Sequence, residues 1–468
     1  MDRYQREAVE RAIAGQTSLF ITGGAGTGKT YIIKELTEIM EDQVILSAPT
    51  WSAAVHINGV SIHKAFGIHP SKLTDIRYDE SGNIDLRWGS KYVRGLSYED
   101  NIEMFIIDEI SMVSGDALMY IDLALRKTFN FEQPFGGKQM IVVGDLSQLP
   151  PIKAMKYKYV FDSPIWKKVF TKDKIINLLV CHRQDEVAFL SALEQVRLGG
   201  KYDFFNSRII TEEEAEKILQ EKPETTRISS RHVECDRINN KEIQDIPGDE
   251  ISIVAFDIDT YGTIKSAHEQ EGYSYMPVLK FKVGAKIILT RSIEPKRTFH
   301  NGKVLMIKEI KPMYAGSLME LLDRTAKQDI SRYSSEKNAK IFNALQFNLM
   351  DNEFMRKFRV VVAETIDGQR IELKPMLQIK SIGGYIYGVR VQLPFVLGYA
   401  ITIHRAQGMT LESEILYIND SFDSGMVYVA LSRCQKLNNL YIVGRLPPIS
   451  DLDIHIISYL TKIGVIME

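Results

Sequence analysis

Residues 18–36 read SLFITGGAGTGKTYIIKEL, an apolar run, a glycine-rich loop and a helix-forming run in immediate succession. The loop, Gly23-Gly24-Ala25-Gly26-Thr27-Gly28-Lys29-Thr30, fits the pattern G-x-x-x-x-G-K-[ST] at every position. Such a loop binds phosphate. Backbone N–H groups from Gly23 to Gly28 close around the anion, and the N-terminus of the following helix adds its positive dipole end. Lys29 reaches the β and γ phosphates, and the Thr30 hydroxyl ligates Mg²⁺. A glycine-rich turn that binds nothing is the alternative, and the filled pattern with both flanks argues against it.

Length and composition bound the rest. At 468 residues the chain exceeds one ordinary core, and about 150 residues per domain implies two to four domains. Hydrophobic content of 45% with 25% charged residues is that of a soluble globular protein, and no run approaches the roughly 18 apolar residues of a membrane span. The N-terminal residues Met1-Asp2-Arg3-Tyr4-Gln5 are polar, so secretion is not expected. Cys181, Cys235 and Cys434 lie far apart without C-x-x-C spacing. That disfavours a zinc site or a disulfide framework and fits a reducing compartment. A formal net charge of −2 excludes a bulk polycation. Nucleic-acid binding would have to use a local groove of amides, hydroxyls, aromatics and a few basic residues.

Short apolar runs at 18–21, 43–46, 104–107, 139–143 and 174–178, separated by helix-like stretches, predict a buried parallel sheet over residues 1 to about 185. Within it, 75–88 holds two alternating runs around Ser81-Gly82-Asn83, which predicts a β-hairpin insertion spanning about 68–100. Runs at 226–229, 399–402, 414–418 and 440–443 predict a second sheet, with domain boundaries at 186–290 and 396–468. Between them, 291–395 reads as an inserted β-rich module whose stretch 311–360 is more helical.

Chemistry-bearing residues follow the loop. Phe105-Ile106-Ile107-Asp108-Glu109 is a strand ending in two carboxylates. Asp108 is suited to hold Mg²⁺ through the second shell and Glu109 to polarise an attacking water. Gly144-Asp145-Leu146-Ser147-Gln148-Leu149-Pro150-Pro151 follows the next strand, so Gln148 falls at the same carboxyl edge, where it is placed to sense a γ-phosphate. Arg183, after the run at 174–178, and Arg433, in Val429-Ala430-Leu431-Ser432-Arg433, are guanidinium candidates for charge on that phosphate.

The ordered pieces GGAGTGKT (23–30), APTWSAA (48–54), SIHKAFG (61–67), IIDEISMV (106–113), PFGGKQMIVVGDLSQLPPI (134–152), CHRQ (181–184), KFKVGAKIILTRSI (280–293), HNG (300–302), YAITIHRAQGMTLE (399–412) and VYVALSRC (427–434) cover most of the chain. Together they resemble superfamily 1 helicases of the 5′-to-3′ branch, which holds the petite-integration-frequency (PIF) helicases, phage Dda and RecD. The resemblance implies an α/β fold of two tandem RecA-like motor domains, with the hairpin as a strand-separating wedge and the β module as a Src-homology-3-like insertion. It implies an ATP-dependent, Mg²⁺-requiring DNA helicase that moves 5′ to 3′ on single-stranded DNA. Its role would lie in replication, repair or recombination.

Carried over by position, the resemblance has Gln5 reading adenine, with Gly408 and Glu412 also facing nucleotide. Lys29, Thr30, Asp108, Glu109, Gln148, Arg183 and Arg433 form the hydrolytic set. Pro49, Thr50, Trp51, His63, Phe66, Asn301, Gly302, Thr402 and His404 lie along DNA. Trp51-Ser52 stand where family members often carry Gly-Lys, so a lysine contact to phosphate is lost and Trp51 is a candidate for stacking on a base or for the core. The resemblance further implies single-stranded, forked or 5′-tailed DNA as partners, contact with a single-strand-binding protein or replisome components, no membrane, and action as a monomer. Location would be the cytoplasm of a bacterium or a phage or virus host, or the nucleus or mitochondrion of a eukaryote. Two other readings stay open: an RNA or mixed-substrate helicase, and a nucleic-acid-binding scaffold switched by ATP without motor activity.

Overall fold

The computed structural model describes all residues except 16, 51–52, 55–56, 69–72, 74, 94–95, 97, 99–100, 152–153, 185, 260, 266–275, 294–297, 314–339, 342, 345–357, 383–384, 419–424, 448–449, 451 and 466–468. The chain forms two compact units: Met1–Phe204 with Asp423–Ser432 and Pro447–Glu468, and Phe205–Phe422 with Arg433–Leu446.

In the first unit, β1 (Leu19–Gly23), β2 (Val44–Ala48), β3 (Val60–Ser61), β4 (Met104–Ile107), β5 (Gln139–Val143) and β6 (Ile175–Leu178) form one sheet. Its order is β3-β2-β4-β5-β1-β6 and all pairs are parallel. Every residue of β1, β4 and β5 is buried. Helices cover both faces of such a sheet, which is why these strands are near-continuous apolar runs instead of alternating ones. The helix Arg3–Ile13 opens the unit. Asp2 caps it reciprocally with Gln5, and Ala8, Val9 and Ala12 are buried on one face.

The predicted hairpin over 75–88 is only partly a hairpin. Tyr78 and Ile84 form an isolated antiparallel bridge around the turn. The second arm leaves the strand course at Asp85, whose side chain accepts the N–H of Trp88 and starts the helix Leu86–Tyr92. Trp88 is buried and meets the Tyr120 ring edge-on at 6.5 Å. An N-cap outweighed the alternating pattern. The C-terminal helix Ile454–Ile463, grouped by sequence with the second sheet, packs in the first unit. Trp166 Nε1 donates to the Tyr459 hydroxyl at 2.7 Å, and the Phe161 and Tyr459 rings stack at 4.4 Å.

In the second unit, β7 (Ile209–Ile210), β8 (Thr226–Ser229), β9 (Ala400–Thr402), β10 (Glu414–Ile418) and β11 (Leu440–Gly444) make a parallel sheet of order β9-β8-β10-β11-β7. Between β8 and β9, after the helix His232–Asp245, the described strands are antiparallel. They begin at Ile251, well ahead of the expected 291, and end at Leu397. Their shared core includes Phe281, Ile287, Leu305, Val361 and Phe395. Across it, Arg390 binds Asp257 through two hydrogen bonds of 2.8 and 2.7 Å, both side chains buried. The helical stretch expected at 311–360 falls largely outside the described residues. Among the described residues no helix is long and apolar enough to cross a membrane.

Candidate nucleotide site

The site grows from the carboxyl ends of β1, β4, β5 and β6, the edge where loops of a parallel sheet collect ligands. β1 ends at Gly23, and the loop turns through Gly26 at φ +80° and Gly28 at φ +83° before the helix Lys29–Met40. Only glycine fits the second turn. A Cβ on Gly28 would stand 2.3 Å from Gln5 Nε2, and one on Gly26 would stand 2.7 Å from Arg183 Cβ. The loop is therefore held from outside as well as by its own backbone. Gln5 Nε2 donates to the Thr27 carbonyl at 3.1 Å, the His182 N–H donates to the Gly26 carbonyl at 2.8 Å, and Thr27 Oγ1 donates to the Gly24 carbonyl at 2.9 Å.

Gln5 is buried, and its Oε1 accepts the Asp2 N–H at 3.1 Å as part of the helix cap. Lys29 Nζ donates to the carbonyls of Gly23 and Gly24 at 2.8 and 2.9 Å. Burial pushes its pKa down, and Asp145, Glu109 and Asp108 pull it back up. Thr30 is exposed at the start of the helix. Asp108, at the end of β4, is buried and accepts the Glu109 N–H at 2.9 Å. Glu109 takes φ +51°, turning the chain sharply after the strand. Burial and the neighbouring Glu109 push the Asp108 carboxyl up to about 7. Two crowded carboxylates of this kind suit a divalent cation, whose charge removes the penalty of ionising both. Among the described residues no cage of three or more His, Cys, Asp or Glu exists. Mg²⁺ does not require one, because it keeps waters and phosphate oxygens as ligands.

Gln148 is buried after β5, its N–H donating to the Asp145 carbonyl at 3.0 Å. Arg183 Nη1 and Gln184 Nε2 both donate to the Ser432 carbonyl, at 3.1 and 3.2 Å. Three residues that sequence reasoning did not single out connect these parts. Arg197, buried at the end of the helix Val187–Arg197, donates from Nε to both oxygens of buried Asp145 at 3.1 Å. The Tyr428 hydroxyl donates to Asp145 Oδ2 at 3.1 Å and accepts the Ala25 N–H at 3.0 Å. Asp145 and Tyr428 sit inside recognisable motifs, whereas Arg197 carries no local signal beyond being an arginine on an otherwise apolar helix face.

The residues expected along DNA fall into three groups. Pro49, Thr50 and His63 are half-buried in the first unit; Thr50 Oγ1 accepts the Ala53 N–H at 3.2 Å, and burial pushes the His63 pKa down. Phe66 is a correction: it is wholly buried and packs its ring 5.7 Å from that of Phe105, so it belongs to the core beneath His63. In the second unit, Asn301 and His404 are half-buried, whereas Thr402 is buried and spends its Oγ1 capping the helix Ile403–Ala406. Gly302 at φ +92° lets the turn approach Thr410, whose carbonyl would lie 2.5 Å from a Cβ there. Gly408 turns at φ +79°, and Glu412 accepts from Lys303 Nζ at 2.5 Å, a partner absent from the sequence reading. Arg433 lies in the second unit, its carbonyl accepting the Leu411 N–H at 3.0 Å. Trp51 lies outside the described residues.

A glycine-lined loop between a central parallel strand and a helix, with lysine and carboxylates at the same sheet edge, defines a P-loop protein with a RecA-like core. Residues 3–202 match the family model described as PIF1-like helicase. Relatives named ATP-dependent DNA helicase PIF1 include those of Xenopus laevis, 26% identical over 94% of this chain and 61% of that protein, and Mus musculus, 28% identical over 97% and 62%. The bacterial relative of Psychrobacter sp. is 27% identical over 91% and 66%. The chain is thus similar to PIF1-type helicases, and it spans less than two thirds of the length of these relatives. In fold it matches a crystal structure of Bacteroides sp. Pif1 in complex with ADP-AlF4, with a TM-score of 0.68 at 23% identity over 99% of this chain and 97% of that one. It also matches Pif1 helicase from Candida albicans, with a TM-score of 0.64 at 21% identity over 99% of both chains.

Proposed function

We propose that this protein is an ATP-dependent DNA helicase that moves 5′ to 3′ along single-stranded DNA and separates duplex ahead of it. One observation carries the hydrolytic part: Lys29, following the loop from β1, and Asp108 and Glu109, following β4, are gathered at the same carboxyl edge of one sheet, with β5 and Asp145 between them. Lys29 would leave the Gly23 and Gly24 carbonyls for the β and γ phosphates of ATP, releasing loop amides toward the same oxygens. Thr30 and Asp108 would hold Mg²⁺, which supplies charge neutralisation to the transferring phosphoryl group. Glu109 would orient the attacking water. Gln148, Arg183 and Arg433 would meet charge on the γ-phosphate, with Gln5, Gly408 and Glu412 around the rest of the nucleotide.

The match of residues 3–202 to the family model and the relatives' names support DNA as the track. Pro49, Thr50, His63, Asn301, Gly302 and His404 are the candidate contacts, and the 75–88 turn is the candidate wedge. The deciding experiment compares unwinding of 5′-tailed, 3′-tailed and blunt duplexes. Strand separation restricted to the 5′ tail, lost in Lys29→Ala, is the expected result. Preference for the 3′ tail would overturn the polarity, and ATP hydrolysis without unwinding of any substrate would overturn the helicase assignment.

A further inference from the structure

The Asp116 carboxylate, in the first turn of the helix Gly115–Phe129, is buried and collects donors from two other segments. The Tyr78 hydroxyl donates to its Oδ1. From the segment after the Gln148 loop, the N–H groups of Met155 and Lys156 donate to Oδ2 at 2.5 and 3.2 Å, and that of Tyr157 to Oδ1 at 3.0 Å. The Asp116 N–H returns a bond to the Tyr157 carbonyl at 3.4 Å. One charge is thus met by a phenol and by three amides whose positions the backbone fixes, so the arrangement tolerates little relative sliding.

A second set of contacts joins the same pieces. The Tyr157 hydroxyl donates to the Gly82 carbonyl at 3.0 Å, the Tyr78 and Tyr157 rings meet edge-on at 5.5 Å, and Lys156 Nζ lies 5.0 and 5.4 Å over them. Gly82 turns at φ +80°, and a Cβ there would stand 2.3 Å from the Tyr157 hydroxyl. The turn itself is closed: the Asp79 N–H donates to the Asn83 carbonyl at 2.9 Å, and the Asp85 N–H to the Arg77 carbonyl at 2.8 Å. Its tip, with Asp79, Glu80, Ser81 and Asn83, faces solvent. A closed turn hooked at its base moves as a piece with whatever holds the hook.

We propose that Asp116 is a positioning residue that ties the 77–85 turn to the segment downstream of Gln148, so that a shift of that segment with nucleotide state moves the turn. The proposal rests on the reading of Gln148 as a γ-phosphate contact and of the turn as the strand-separating element. Tyr78→Phe unhooks the turn while leaving the three amide bonds in place, and Tyr157→Phe removes the second tie. Asp116→Asn removes the charge that all four donors share.

The test uses hydrogen–deuterium exchange of peptides covering 77–85, with and without adenosine 5′-(β,γ-imido)triphosphate and Mg²⁺, alongside strand separation per ATP on 5′-tailed duplex. In the wild-type protein the nucleotide should change exchange in the turn. In Tyr78→Phe that response should fall by about fivefold and unwinding per ATP by about tenfold, the factor that losing one charge-assisted bond supplies, with hydrolysis on single-stranded DNA within about twofold. A variant turn that responds like the wild type, or hydrolysis that falls as far as unwinding, would overturn the tie. If Asp116→Asn does not fold, Tyr78→Phe still decides. If the wild-type protein hydrolyses ATP but opens no duplex, the helicase reading fails while the exchange measurement still judges the tie.

Discussion

The two parallel sheets share an architecture and differ in what their strand ends are free to do. In the first unit β1 runs into left-handed glycines and a helix N-terminus, leaving amides and Lys29 at the edge. In the second, β8 ends at Ser229, whose Oγ donates to Glu234 at 2.9 Å, and the helix His232–Asp245 starts from an extended Arg231 with no glycine loop. β9 is tied off as well: its last residue, Thr402, accepts the Arg405 N–H on its Oγ1 at 3.3 Å and so caps the helix Ile403–Ala406 directly, again with no glycine loop. The sheet provides a place for loops, and the loop residues decide whether that place binds an anion. The second sheet has no such cradle among its described strand ends.

The sharpest way to break this comparison is a pair of substitutions. Lys29→Ala should reduce single-turnover ATP hydrolysis by about 10³-fold or more and weaken nucleotide binding, since it strips the cradle. Arg433→Ala should reduce hydrolysis by about 10²- to 10³-fold with binding affinity within about threefold. Equal loss of binding in both, measured with a fluorescent ATP analogue, would show that the second sheet also builds the cradle.

A smaller effect separates the sheets by stability. Arg197→Met leaves Asp145 buried without its cationic partner, a loss of about 3 to 5 kcal/mol. Urea denaturation should show the first unit's transition moving and the second's staying in place. A cost under about 1 kcal/mol would mean that water reaches Asp145.

The smallest effect is on pH dependence in the second unit. Burial, reinforced by Arg227, pushes the Lys286 amine down to about 8, with Nζ 2.7 Å from the Thr225 carbonyl it donates to. Between that value and the ordinary lysine pKa near 10.5 the unfolded chain binds more protons than the folded one. Stability should therefore rise with pH through this window, by about 3 kcal/mol. Lys286→Met should flatten that slope; an unchanged slope in thermal melts from pH 7.5 to 10.5 would reject the assignment.

Much of both sheets was legible because buried parallel strands are unbroken apolar runs and the phosphate loop has a nearly unique spelling. The runs at 104–107 and 139–143 are β4 and β5 to the residue. Where expectation failed, a local group outvoted a pattern. Asp85 capped a helix where alternation suggested a strand, and Phe66, one turn from half-buried His63, faced Phe105 in place of solvent. The docking of Ile454–Ile463 was hidden because its apolar face fits any core, and only Trp166, Phe161 and Tyr459 select which.

Sequence alone determined the glycine loop, its lysine and threonine, the acidic strand end and the arginine candidates, since each is a residue type at a short spacing along the chain. Only the tertiary structure decided that Arg197, Asp145, Tyr428 and Ala25 form one hydrogen-bonded line, and that Asp116 hooks the 77–85 turn to the segment after Gln148. The physical reason is the range of the interactions. Turn geometry and phosphate cradles are set by neighbours in sequence, whereas a buried charge finds its partners across hundreds of residues, wherever packing brings them.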